Sequence, residues 1–161
     1  KLVYNQNGGM QIPMWEKLKE TVMYLKSKGQ RVDGIGWQGH LMNNQGLKQF
    51  VENLDEELKK LSDLIDWAHS NKLEFHITEL DYYNNGENNI FNSVEKQAEV
   101  YQKLMNLSQE KSKNGLVTVN FWSMGERISS RGKKGHYMSI YDNDTIPTKT
   151  YEVVKKFINF D

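Results

Sequence analysis

Short apolar runs alternate along the chain with longer stretches in which apolar residues recur every three or four positions, the pattern of strands alternating with helices. Residues 2–5 predict a first strand, and Pro13 suits the first turn of a helix through Trp15, Leu18, Val22 and Leu25 that stops at Gly29. Residues 32–37 predict a second strand. Helical spacing returns from Gly46 to about His69 with a break near Asn53, where Asp55 is expected to cap the helix that follows. A third strand spans residues 73–79, and the polar loop 84–89 leads to a helix from Ser93 through Ala98, Tyr101 and Leu104, whose exit ends at Gly115. Residues 116–122 predict a fourth strand. A Gly/Lys/Ser-rich loop over 129–135, a short run over 137–141 and a helix over 148–158 complete the chain. Four β-α units thus follow one another as one domain, with no linker between them. Trp15, Trp37 and Trp67 fall on apolar spacings and are expected in the core.

The third strand runs out into Thr78-Glu79-Leu80-Asp81. Alternate strand residues share a face, so Glu79 and Asp81 are expected to project together where a buried carboxylate is costly unless something uses it. Beyond the second strand, Gln38 and His40 are likewise two apart. His76 has the opposite parity to Glu79 and is expected between strand and helix. Asn5 and Trp122 close the first and fourth strands, so every strand ends on a candidate site residue, as expected of a barrel whose strand ends all face one pocket. The alternative, an open doubly wound sheet, calls for a phosphate-binding glycine turn, whereas Gly34-Ile35-Gly36 lies inside a strand.

At 161 residues the chain has the size of one ordinary domain, and its basic and acidic residues balance at 21 each, which gives no electrostatic case for a nucleic-acid or acidic-membrane partner. The absence of cysteine excludes disulfides and thiolate catalysis but says nothing about compartment. No run approaches the roughly 20 apolar residues of a membrane span, and the first residues lack the pattern of a signal peptide. The many asparagines and glutamines suit sugar hydroxyls and solvated loops equally. His40, Glu79 and Asp81 would also make a reasonable metal-ligand set.

The segments Val32-Asp33-Gly34-Ile35-Gly36-Trp37-Gln38-Gly39-His40-Leu41, Ile77-Thr78-Glu79-Leu80-Asp81 and Phe121-Trp122 resemble, in order and spacing, the sixth, seventh and eighth strand motifs of family 10 glycoside hydrolases, the retaining endo-β-1,4-xylanases. Residues 1–5 resemble the fifth strand. The resemblance implies that the chain forms the C-terminal half of a (β/α)8 TIM barrel. It implies that Glu79 is the nucleophile, that His40 and Asp81 hydrogen-bond around it, and that Gln38 and Trp122 line the sugar subsite, with Asn5 a further substrate-binding candidate. It also implies a xylan-like β-1,4-linked polysaccharide as partner, no cofactor, no metal, and a secreted, periplasmic or cell-surface location. The family's acid/base glutamate lies on the fourth strand, before the point where this chain begins. The isolated chain is therefore expected to be inactive and to pair with an N-terminal half-barrel or a second copy of itself. Glu126 stands where the family has an acid of other function, and residues 127–130 lack the tryptophan that caps the subsite. These departures leave a non-catalytic carbohydrate-binding relative as the alternative.

Overall fold

The computed structural model describes residues 1–7, 12–41, 45–84, 93–122, 124, 127–128, 136–138, 140–142 and 144–158. In chain order its elements are β1 (Val3–Gln6), α1 (Ile12–Ser27), β2 (Gly34–Trp37), β3 (His40–Leu41), α2 (Gln45–Glu52), α3 (Leu54–Ser70), β4 (Glu74–Asn84), α4 (Val94–Lys111), β5 (Val117–Phe121), β6 (Arg127–Ile128), β7 (His136–Met138) and α5 (Lys149–Lys155). The expectations for Glu126, for the loop 129–135 and for residues 85–89 fall outside the described residues.

β1, β2, β4 and β5 lie side by side in that order, all parallel. One face of this sheet carries Ile35, Trp37, Phe75 and Ile77, which pack with Leu18 and Val22 of α1, Leu61 and Ile65 of α3, and Val100 and Leu104 of α4 in a single core. Strands buried beneath helices on one side and joined by crossover helices are the repeating unit of an α/β barrel. The other face is polar, with Asn5, His76, Thr78, Thr118 and Asn120 around Gly34 and Gly36. The glycines let the strands carry large neighbours, since a Cβ on Gly36 would sit 2.7 Å from Asn5 Oδ1 and one on Gly34 would sit 2.9 Å from the Glu74 carbonyl. Among the described residues, β1 and β5 each have a strand neighbour on one side only.

β4 is the longest strand and carries an irregularity that sets the direction of its side chains. Ile77 pairs with Val119 and Leu80 with Phe121, so three steps along β4 match two along β5. On the other edge Ile77 pairs with Trp37 and Asp81 with His40, so four steps match three. Both neighbours thus place one extra residue at Thr78-Glu79, a β-bulge. Before it, the odd-numbered Phe75 and Ile77 face the helices; after it, the even-numbered Leu80 and Tyr82 do. His76 accordingly lies on the polar face, its Nδ1 2.8 Å from Thr118 Oγ1, and not between strand and helix as simple alternation predicts.

Beyond the bulge β4 continues to Asn84, five residues past the expected end, because new partners receive it. β3 pairs parallel on one edge and β7 antiparallel on the other, with β6 beyond β7. The helix expected to start after an Asp55 cap starts at Leu54, with Asn53 in the cap position. Asn53 does not cap with its side chain, which donates instead to the Gln49 carbonyl. Asp55 occupies the first helical turn beside Glu56 and Glu57, where negative charge complements the helix dipole, and pairs with Lys103 at 2.6 Å. Trp15 and Trp37 are buried as expected, while Trp67 is partly buried, with Lys19 over its ring. Among the described residues no helix is long and apolar enough to cross a membrane.

Candidate active site

The bulge and the turn after β2 together build a cluster of polar side chains at the C-terminal ends of the strands. Gly39 takes φ +71°, a conformation costly for other residues, and so steps the chain from β2 into β3. A side chain there would also press on Ile77, with Cβ 3.0 Å from its Cγ2. The step sets His40 directly opposite Asp81. On β4 the bulge turns Glu79 away from the helices, to the side that Asp81 also takes. The imidazole then stands between the two acids, with Nε2 3.2 Å from Glu79 Oε2 and Nδ1 3.1 Å from Asp81 Oδ1.

Burial separates the two carboxylates. The Glu79 side chain is 19% exposed and that of Asp81 only 3%, so Glu79 can meet a ligand and Asp81 serves the histidine. The hydrogen bond that His40 donates to Asp81 is the largest influence on the ring; with Glu79 it raises the imidazole pKa above its ordinary value, and burial opposes the rise. Trp122 stands with its ring edge-on to the imidazole, centroids 5.7 Å apart, and remains 50% exposed. Its backbone N–H donates to the Leu80 carbonyl, which fixes the tryptophan beside the acids.

The remaining candidates take two different positions. Gln38 is half-buried between β2 and β3, and its backbone N–H reaches the Gln6 carbonyl. Asn5 is exposed on β1, opposite Gly36, and its Oδ1 accepts a hydrogen bond of 2.9 Å from Thr78, the residue before Glu79. Thr78 and the His76–Thr118 pair are polar contacts beneath the site that alternation concealed, since it assigns His76 to the other face. A metal bound by His40, Glu79 and Asp81 needs one imidazole nitrogen and both carboxylates to converge on a point. Here the carboxylates take opposite nitrogens, and among the described residues no set of three such side chains is placed to hold a metal.

A parallel sheet beneath helices, with a carboxylate–imidazole–carboxylate chain and a half-exposed tryptophan at its carboxyl end, defines the class: half of an α/β barrel of the glycoside hydrolase kind. The model of glycosyl hydrolase family 10 matches residues 1–157, and the chain belongs to that family. It is 28% identical to a β-1,4-xylanase of Dictyoglomus thermophilum over 98% of its own length and 45% of that protein's. It is 31% identical to endo-1,4-β-xylanase A of Thermoanaerobacterium saccharolyticum over 78% of its own length and 10% of the relative's. Among solved structures, native xylanase 10B from Thermotoga maritima superposes with a TM-score of 0.69 at 24% identity, covering 97% of this chain and 46% of that one. The chain therefore spans about half, or less, of the proteins it matches, and its fold is a partial (β/α)8 barrel.

Proposed function

We propose that this chain is the nucleophile-bearing half of a retaining endo-β-1,4-xylanase-type glycoside hydrolase acting on xylan or a related β-linked polysaccharide. The observation that carries the reading is the contact of Glu79 with an imidazole whose other nitrogen faces a buried acid. In a retaining mechanism one carboxylate attacks the anomeric carbon as a second carboxylic acid protonates the departing oxygen, and water then cleaves the glycosyl-enzyme bond. Glu79 is the attacking carboxylate. His40 donates from Nε2 to the Glu79 oxygen that does not attack and so fixes how the carboxylate is turned, while Asp81 holds the ring. Asp81 is not the second acid, because its burial and its histidine contact keep it from a sugar. That acid belongs to the N-terminal half-barrel of the same protein; a second copy of this chain against the open edges of β1 and β5 would cover them without supplying it. Trp122, Gln38 and Asn5 line the sugar subsite.

In the completed barrel a 2-fluoro-xylobiosyl inhibitor should become covalently attached to Glu79, as read by peptide mapping. Attachment to Asp81 or Glu126 overturns the assignment. Without the acid, general acid help of about 10²–10⁴-fold is lost, so the isolated chain should show no measurable cleavage of xylan. Turnover by the isolated chain that Glu79→Ala abolishes would refute this. A second reading, a non-catalytic carbohydrate binder, draws on the exposed Trp122 ring. It predicts that the whole protein binds xylan yet is never labelled at Glu79.

A further inference from the structure

Thr78 and Glu79 are consecutive residues of β4, yet both turn away from the helices, since Ile77 before them and Leu80 after them face the core. That placement is the bulge, and it aims Glu79 at His40. Under regular alternation Glu79 would share the face of Ile77 and enter the apolar core. The Thr78 hydroxyl donates to Asn5 Oδ1 on β1 at 2.9 Å and also lies 3.3 Å from the Trp37 carbonyl oxygen on β2. β1 and β4 are not neighbours, because β2 runs between them. Strands two apart in a sheet are separated by roughly 9.5 Å, and a side chain on the middle strand ordinarily stands between them. Here the middle residue is Gly36. A Cβ on it would sit 2.7 Å from Asn5 Oδ1 and 3.0 Å from Thr78 Cγ2, so the missing side chain is what lets the hydrogen bond pass over β2. From β5, Asn120 Nδ2 donates to the Ile77 carbonyl at 3.4 Å, which ties the residue before the bulge as well.

We propose that Thr78, anchored to Asn5 over Gly36, is a positioning residue that holds the bulge and so keeps the Glu79 carboxylate against His40. A bulge leaves its extra residue without a place in the ladder, so side-chain bonds must fix a conformation that backbone pairing leaves loose. Thr78 supplies such a bond one residue before Glu79. Pinning its side chain from β1 limits the backbone rotation by which Glu79 could leave the imidazole. The ring itself is fixed through Asp81, paired directly opposite it beyond the bulge, so a loosened Thr78 is felt first at Glu79. The catalytic meaning of this rests on Glu79 being the nucleophile, whereas its physical content is the contact between Glu79 and the histidine.

The test is the titration of His40 in the 161-residue chain, followed by the ring Cε1 proton signal in NMR that His40→Asn lacks. Among the described residues the charged or titratable groups facing that ring are Glu79 and Asp81 of β4, with the neutral Trp122 at its edge. Asp81 and then Glu79 raise the imidazole pKa against the opposing effect of burial, so a carboxylate that drifts from Nε2 lowers the midpoint. Thr78→Val keeps the branched shape and removes the hydroxyl, and should lower the His40 midpoint by about half a pH unit. Thr78→Ser keeps the hydroxyl and should hold the parent value. Thr118→Val removes the hydroxyl bonded to His76 on the same face, before the bulge, and should leave the midpoint unchanged. The proposal is overturned by an unchanged or raised midpoint in a folded Thr78→Val chain, by a Thr78→Ser midpoint as low as that of Thr78→Val, or by an equal fall in Thr118→Val. If Thr78→Val does not fold, Asn5→Ala removes the other half of the bond, and a midpoint equal to that of the parent chain overturns the proposal instead. Failure to label Glu79 in the completed barrel would remove the nucleophile assignment and leave this titration result standing, so the two are separable.

Discussion

His40 Nδ1 and Asp81 Oδ1 are 3.1 Å apart across paired residues of two strands, which commits that nitrogen of the ring to a buried acid and leaves the other for Glu79. The consequence is electrostatic as well as geometric. An imidazole between two carboxylates holds its proton to a higher pH than a free one.

Stability should therefore depend on pH through His40. Its pKa in the folded state is raised above the ordinary 6.5, so its contribution is fully present below the unfolded value and is lost as pH rises through the folded one. Urea midpoints of the parent chain and of His40→Asn, measured from about pH 5 to 9, should differ most at the acid end and converge toward the alkaline end. A difference that stays constant across that range would mean that the imidazole does not gain its proton affinity from the two acids.

Asp81→Asn removes the largest influence on the ring while keeping its shape. The His40 midpoint should fall, because the rise from Glu79 is then left to oppose the lowering by burial alone. In the completed barrel, hydrogen bonds to charged groups worth about 1.5–3 kcal/mol translate into roughly a tenfold to hundredfold loss of kcat/KM. Retention of full activity would show that Asp81 fills space and little more.

The two glycines of β2 separate a tolerable clash from an intolerable one. At Gly36 the added methyl meets the end of the Asn5 side chain, which can swing away; at Gly34 it meets the Glu74 carbonyl, fixed in the β2–β4 ladder. Gly34→Ala should cost about 1–3 kcal/mol and Gly36→Ala clearly less. Equal losses in chemical denaturation would contradict this account of the packing.

Two helix starts give a matched pair. Ser93 accepts from the Lys96 N–H at 3.1 Å, so Ser93→Ala should lose about 1 kcal/mol. Asn53 makes no such bond at the start of α3, and Asn53→Ala should be close to neutral in thermal unfolding. A larger loss at Asn53 than at Ser93 would reverse this reading.

The alternation of strands and helices and the order of the motifs were legible because they depend on local periodicity and short-range sequence. So were the closeness of His40 to Glu79 and the burial of Trp15 and Trp37. The face of His76 was not, because a bulge adds one residue to a strand without marking the hydrophobic pattern: Phe75, Ile77, Leu80 and Tyr82 read as a run of apolar positions whether or not the phase slips between them. The extension of β4 to Asn84 depends on pairing with residues 136–138, more than fifty positions away, and no local signal reports such a partner. Asp55 misleads as a cap because a short acidic residue is favoured both before a helix and within its first turn.

Among the described residues, β2 and β4 are the strands of the parallel sheet with neighbours along both edges, while β1 and β5 stand at its margins. Local opening of a protein begins where few bonds must break, so the margins should exchange their amide hydrogens first and the centre last. The Glu79 carboxylate is thus mounted on the most persistent part of the molecule. Its aim survives fluctuations at the rims, and under the proposed function the nucleophile would be in place before the rest of a cleft formed around it.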